Sequence, residues 1–113
     1  MTYLDEQKII DLQDLMGEDV FAELVNTYVE NSAQHFEKLV TAIEQGDMQE
    51  IRFRAHSLKG GSANMGASAL ADQFFELEKM GSNGELAAGY EEVLKQATEI
   101  YNAVVDDLKS RIK

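Results

Sequence analysis

Ile51-Arg-Phe-Arg-Ala-His-Ser-Leu-Lys-Gly-Gly-Ser-Ala-Asn-Met-Gly66 departs from the habits of the rest of the chain. The protein carries 21 acidic and 10 basic residues, yet 51–71 contains no Asp or Glu. Arg52, Arg54 and Lys59 crowd around His56, and Gly60 and Gly61 follow where the pattern reads helical. Each glycine costs a helix interior roughly 1 kcal/mol relative to alanine. On a helical wheel Met48, Ile51, Ala55, Leu58, Ser62 and Met65 fall within about 80° of arc, the face that seeks a core. His56 lies about 120° from the centre of that face, with Arg52, Lys59, Gly60 and Ala63 on its side and Phe53 about 60° further round. The stretch therefore reads as a helix with one buried stripe and an accessible imidazole among small and basic neighbours.

Working outward, apolar residues recur at helical spacing almost throughout, and no period-two strand is visible. A short first helix is expected from Asp5 to about Leu15, with Ile9, Leu12 and Met16 on one side and Gly17 as punctuation. A long second helix follows from Glu18 to Gln45, with Phe21, Leu24, Tyr28, Ser32, Phe36, Leu39 and Ile43 as its inward stripe. Gly46 suits a C-terminal stop, and Asp47 with Glu50 reads as a capping box opening the third helix. Ala67 to Met80 is expected as the fourth helix, with Leu70, Ala71, Phe74 and Leu77 inward. Gly81-Ser-Asn-Gly84 reads as a turn, with Ser82 and Glu85 as a second capping box. The last helix is expected from Glu85 to Arg111 along Leu86, Tyr90, Val93, Ala97, Tyr101, Val104 and Leu108, with Lys109, Arg111 and Lys113 at the negative end of its dipole. These elements predict an all-α antiparallel four-helix bundle with a short N-terminal capping helix, one domain over residues 1–113.

Composition narrows the function. A net charge of −11 argues against nucleic acid as a partner, because phosphate binding needs a dense basic surface. The absence of cysteine rules out disulfides and thiolate metal sites and fits a cytoplasmic protein. The N-terminus lacks the basic start and apolar run of a signal peptide, and no membrane span is expected. Several chemistries fail on spacing. Phe53 and Ser32 stand three residues before His56 and His35, where a di-iron bundle needs Glu. No nucleophile elbow accompanies a histidine. Gly61 to Gly66 has P-loop glycine spacing, but Ala67-Ser68 replaces the Lys-Ser/Thr pair, and no Gly-x-Gly-x-x-Gly run exists. His35, beside its helix's inward stripe, reads as a solvated or edge histidine. The methionines read as core filler and Tyr28, Tyr90 and Tyr101 as core. From composition and spacing alone, His56 could equally be an ordinary surface histidine beside packing glycines.

Ala55-His56-Ser57-Leu58-Lys59-Gly60-Gly61-Ser62-Ala63-Asn64-Met65-Gly66-Ala67 resembles the signature of the histidine-containing phosphotransfer (HPt) domain, Ala-His-x-Leu-Lys-Gly followed by Leu/Met-Gly-Ala. The resemblance extends to Gly46-Asp47, to Leu77-Glu78-x-x-Gly81-x-x-Gly84 and to Gly17-Glu18-Asp19-x-Phe21, and so spans essentially the whole chain. It implies that His56 accepts a phosphoryl group from a receiver-domain phospho-aspartate, or from a histidine kinase, and passes it to a response-regulator receiver. Imidazole titrates near 6.5, which leaves much of it nucleophilic at neutral pH. The resemblance further implies that Lys59 meets the phosphoryl oxygens and that Gly60 gives the partner steric access. Arg52, Arg54, Phe53 and Ala63 would serve partner docking, although Phe53 could instead pack on a neighbouring helix, and Gly61 serves packing or is merely tolerated. No cofactor is expected on this chain: magnesium belongs to the partner receiver domain. The protein is expected to be a monomeric phosphocarrier without an ATP site rather than a kinase. Its partners are receiver domains and a hybrid or other sensor histidine kinase. The start at Met1 favours a stand-alone protein over a module of a hybrid kinase. The alternatives are a helical adaptor using the same face without phosphorylation and, more remotely, a metal-binding bundle enzyme.

Overall fold

The computed structural model describes residues 3–112, and Lys113, expected at the last helix's dipole, lies outside them. Four α-helices follow one another: α1 Glu6–Gln45, α2 Met48–Asn64, α3 Ser68–Asn83 and α4 Tyr90–Ser110. They form the expected four-helix bundle, 43 × 24 × 18 Å. None is long and apolar enough to cross a membrane.

The expected first and second helices meet at Gly17, which breaks α1 with φ 80° and ψ 166°. That conformation is open to glycine and strained for an L side chain, so the sequence marks the bend with the residue that fits it. The arm before the bend is capped by Asp5, whose carboxylate accepts from Lys8 N–H at 3.2 Å. It is also tied to the bundle, because Asp5 N–H donates to Gly66 C=O at 2.9 Å. The N-terminal arm thus sits on the turn between α2 and α3. Arg111, one residue past α4, pairs with Glu6 and with Asp107 and ties the other terminus to the same arm.

The core follows the predicted stripes. Phe21, Tyr28, Phe36, Leu39 and Ile43 of α1 are buried, as are Ile51, Ala55, Leu58 and Met65 around α2 and Leu70, Phe74 and Leu77 of α3. On α1, Val25 is fully enclosed and Leu24 only half-buried. Phe36 sits edge-on to Phe74 and to Tyr101, with ring centroids 5.5 and 5.0 Å apart, which joins α1, α3 and α4 at one level. Two hydroxyl pairs link the helices: the buried pair Tyr28 with Ser62 at 3.0 Å, and buried Ser32 with half-buried Tyr101 at 2.8 Å. Each supplies the partner that a hydroxyl needs once removed from water. Burial, only partly opposed by the Ser62 bond, pushes the Tyr28 hydroxyl up to about 12.

Two sequence expectations give way between α3 and α4. The fourth helix does not stop at Met80 but continues to Asn83, closed by Gly84 in the left-handed region. Ser82 is therefore helical and cannot cap a following helix with Glu85, and α4 begins at Tyr90, after a left-handed Gly89. Gly81, read as a turn residue, is buried inside α3. A Cβ there would lie 2.6 Å from the Arg52 backbone nitrogen and 2.9 Å from its Cα, so hydrogen at this position is what lets α2 and α3 approach. The Asp47 cap forms, accepting from Glu50 N–H at 3.2 Å, but the Glu50 carboxylate turns to Arg54 instead of closing the box.

Candidate functional site

The close contact of Gly81 with Arg52 fixes what lies opposite what on two antiparallel helices. One turn back along α3 from Gly81 is Glu78, and one turn forward along α2 from Arg52 is His56. They meet: His56 Nδ1 is 2.9 Å from Glu78 Oε2. Lys59, a further turn along α2, brings Nζ to 2.6 Å from Glu78 Oε1. That second approach is a charge contact, since Oε1 is closed off from water and has no aligned hydrogen-bond donor. One carboxylate therefore bridges the imidazole and the ammonium.

The exposures of the three differ in a useful way. The His56 side chain is 67% exposed, whereas Glu78 is 16% exposed. Burial pushes the Glu78 carboxyl up, but the neighbouring Lys59 and His56 together outweigh it and hold it below its ordinary value. An ionised carboxylate can only accept, so His56 Nδ1 carries the proton and donates it. The lone pair of the ring then lies on Nε2, at the outer edge of an exposed imidazole. In this arrangement the imidazole is oriented by its buried edge and reactive at its open one.

The other residues singled out in the sequence separate into two groups. Gly60 and Ala63 are exposed on the same side of α2 as His56, and a Cβ on Gly60 would meet nothing within 4 Å. Arg52 and Phe53 are exposed and border the recess that holds His56 and Glu78. Arg54 does not join them. It pairs with Glu50 one turn back on α2 and turns toward α1, where its Nη1 donates to His35 Nδ1 at 3.0 Å. Its guanidinium also lies over the Phe53 ring, 4.8 Å from the centroid. Gly61 faces α1 as well, where an added Cβ would come within 3.5 Å of the Tyr28 ring. His35 is half-buried at the edge of α1, edge-on to Phe53. Among the described residues, no group of three or more His, Asp or Glu side chains could hold a metal ion.

Glu78 has no role in the sequence reading, although a signal exists. It shares a side of α3 with the buried Ala71 and Gly81, seven residues before and three after it. An acid at the margin of a buried stripe requires a partner. Phe75 was also passed over. It stands one turn before Glu78 and is 44% exposed, with Lys59 Nζ and Lys79 Nζ each 4.9 Å from its ring centroid.

An exposed, carboxylate-oriented histidine on a four-helix bundle defines a class of histidine phosphotransfer modules. The family profile described as the Hpt domain matches residues 23–110, and the chain belongs to that family. It is similar to the crystal structure of histidine-containing phosphotransfer protein B (HptB) from Pseudomonas aeruginosa PAO1, with 34% identity and a TM-score of 0.86. That match covers 96% of this chain and 92% of the other. The phosphorelay intermediate protein rdeA of Dictyostelium discoideum is 26% identical over 110 residues, or 94% of this chain. The chain spans 42% of that relative's length. Hpt domains carry a phosphoryl group on a histidine between the receiver and kinase domains of two-component systems. They are carriers with no ATP-binding or kinase motif of their own.

Proposed function

We propose that this protein accepts a phosphoryl group on His56 Nε2 from a receiver-domain phospho-aspartate and returns it to a response-regulator receiver. The observation that carries the reading is the 2.9 Å contact between His56 Nδ1 and an ionised, shielded Glu78 on an otherwise open imidazole. In the step, the Nε2 lone pair forms the N–P bond as the P–O bond to the aspartate breaks. The aspartate leaves as a carboxylate. The proton on Nδ1 stays in place, and the Glu78 carboxylate offsets the positive charge that develops on the ring. The reverse sequence discharges the group to the next receiver.

Phosphoryl transfer depends on positioning and charge neutralisation more than on covalent help. Lys59 supplies a point charge beside the imidazole, and Gly60 leaves room for the partner's active-site loops. Arg52, Phe53 and Ala63 belong to the docking face by their exposure around His56. Arg54 supports Phe53 from behind rather than reaching the partner. Magnesium, where the reaction needs it, is held by the receiver. The tie from Asp5 to Gly66 supports reading residues 1–113 as one domain, and the chemistry suits a cytoplasmic phosphorelay.

The test is incubation with phosphorylated receiver domains. Wild-type protein is expected to gain an acid-labile, base-stable label that His56→Gln does not gain. Folded wild-type protein that takes no label from any receiver of the source organism would leave an adaptor, not a carrier. Lys59→Ala is expected to slow transfer less than loss of His56, and Gly60→Gln to block it in a folded bundle.

A further inference from the structure

Six large hydrophobic side chains stand exposed among the described residues: Tyr3, Ile10, Leu15, Val20, Phe53 and Phe75. The first four lie along the N-terminal arm and the start of the long helix. The other two bracket the candidate site. Phe53 is one turn before His56 on α2. Phe75, on α3, stands opposite Lys59, one turn after His56, as its contact with Nζ shows. Neither ring is needed by the core, since Phe53 and Phe75 are 53% and 44% exposed.

The two rings also share a chemical dressing. Arg54 covers one side of Phe53, while Lys59 and Lys79 both stand over Phe75, and Lys79 is steadied by Glu76 at 2.9 Å. Such exposed cation–aromatic contacts are worth little to the fold. They do place positive charge around an apolar contact in a chain whose net charge is −11. A partner that covers this face meets Phe75 flanked by the ammonium groups of Lys59 and Lys79, each of which is also paired with a glutamate.

We infer that Phe75, held between Lys59 and Lys79, is a second docking anchor for the receiver domain and extends the partner-binding face from α2 onto α3. The inference rests on the phosphocarrier reading for the identity of the partner. Its chemistry is that of an apolar surface beside the carboxylate cluster of a receiver's active site. Aromatic anchors near the centre of an interface carry a disproportionate share of binding, whereas rim charges act mainly on encounter and salt dependence. Phe75 therefore sets affinity and Lys79 the salt response.

The experiment measures binding apart from transfer. Beryllofluoride-loaded receiver domains of the source organism are titrated against His56→Gln protein, in which no transfer can occur, with Phe75→Ala, Lys79→Gln and Leu15→Ala added singly. Phe75→Ala is expected to weaken binding about tenfold, as for an interface anchor. Lys79→Gln is expected to flatten the dependence of affinity on salt. Leu15→Ala, which removes the most exposed of the six side chains at 82%, is expected to change neither. Unchanged affinity in folded Phe75→Ala, an equal loss in Leu15→Ala, or no receiver binding at all overturns the anchor. Receiver binding that depends on Phe75, without any labelling of the wild type at His56, overturns the carrier reading and leaves the anchor standing.

Discussion

The two histidines of this protein lie on neighbouring helices, and each is bonded through Nδ1, yet their chemistry is opposite. His56 faces a carboxylate on α3 and His35 faces a guanidinium from α2. A guanidinium can only donate, so His35 must accept with its Nδ1 lone pair and carry its proton on Nε2. The half-buried His35 ring therefore has its lone pair occupied and presents an N–H outward. His56 has its proton occupied and presents the lone pair. The partner across the helix, not the histidine, decides which ring can act as a nucleophile.

The largest effect should come from exchanging those partners. Glu78→Arg would give His56 a donor like the one His35 has, and phosphoryl acceptance from a receiver should fall about a hundredfold or more, on the scale of a misplaced proton-transfer group. Glu78→Gln, which can still accept through its amide oxygen, should cost only about tenfold. His35→Gln should leave acceptance unchanged in the same labelling assay. A Glu78→Arg protein that accepts label at the wild-type rate would remove the tautomer from the explanation.

Gly81→Ala tests the same contrast from a distance. The added methyl group meets the Arg52 backbone at 2.6 Å and must push α3 away from α2. It should cost about 2 kcal/mol in urea unfolding, the scale of overpacking. The His56–Glu78 bond should loosen while the His35–Arg54 bond, which joins α1 to α2, stays intact. Ring-nitrogen chemical shifts would report the two histidines separately.

Gly60→Ala should have the reverse sign on stability. A Cβ there meets nothing, and the backbone is helical, so the substitution should stabilise the protein by about 0.5–1 kcal/mol. Transfer to a receiver should nevertheless slow, because the cleared space beside His56 is then partly filled. A more stable variant with unchanged transfer would deny the glycine its access role.

The smallest expected effect is a pH slope. Burial, and then the charge of Arg54, holds His35 below its ordinary value near 6.5. The unfolded chain therefore binds the proton more readily than the folded one. The stability associated with neutral His35 is present above the unfolded value and is lost as pH falls through the folded one. Urea midpoints measured at pH 7.5 and then pH 5.5 should fall, and the drop should be smaller in His35→Gln.

Much of this was legible in the residues. The spacing from Met48 to Met65 fixed which face of α2 is buried, and with it the exposure of His56, Gly60 and Ala63. Asp47 and Gly17 announced a cap and a bend through their backbone chemistry. Periodicity along one helix gives angular position, however, and says nothing of which side chain stands across the gap. Glu78 and Phe75 were therefore missed, and the direction taken by Arg54 was not foreseen. Gly81 misled for a related reason. Glycine marks turns and close helix approaches alike, and only the neighbouring Arg52 backbone distinguishes them. The pattern Ser82-x-x-Glu85 was sound locally but lost to a helix that kept its hydrogen bonds as far as Gly84.

The two hydroxyl pairs between helices have a consequence for alignment. Apolar stripes repeat every three or four residues, so a helix displaced by one turn, about 5.4 Å, would still bury much of its greasy face. Tyr28 with Ser62 and Ser32 with Tyr101 do not repeat. They stand one turn apart on α1 and key it to α2 and α4, and any slip would break both pairings and strand the buried hydroxyls of Tyr28 and Ser62 without a partner. They act as indexing pins in an otherwise periodic assembly. Side chains that never meet a phosphate thereby determine how far along its groove each helix comes to rest.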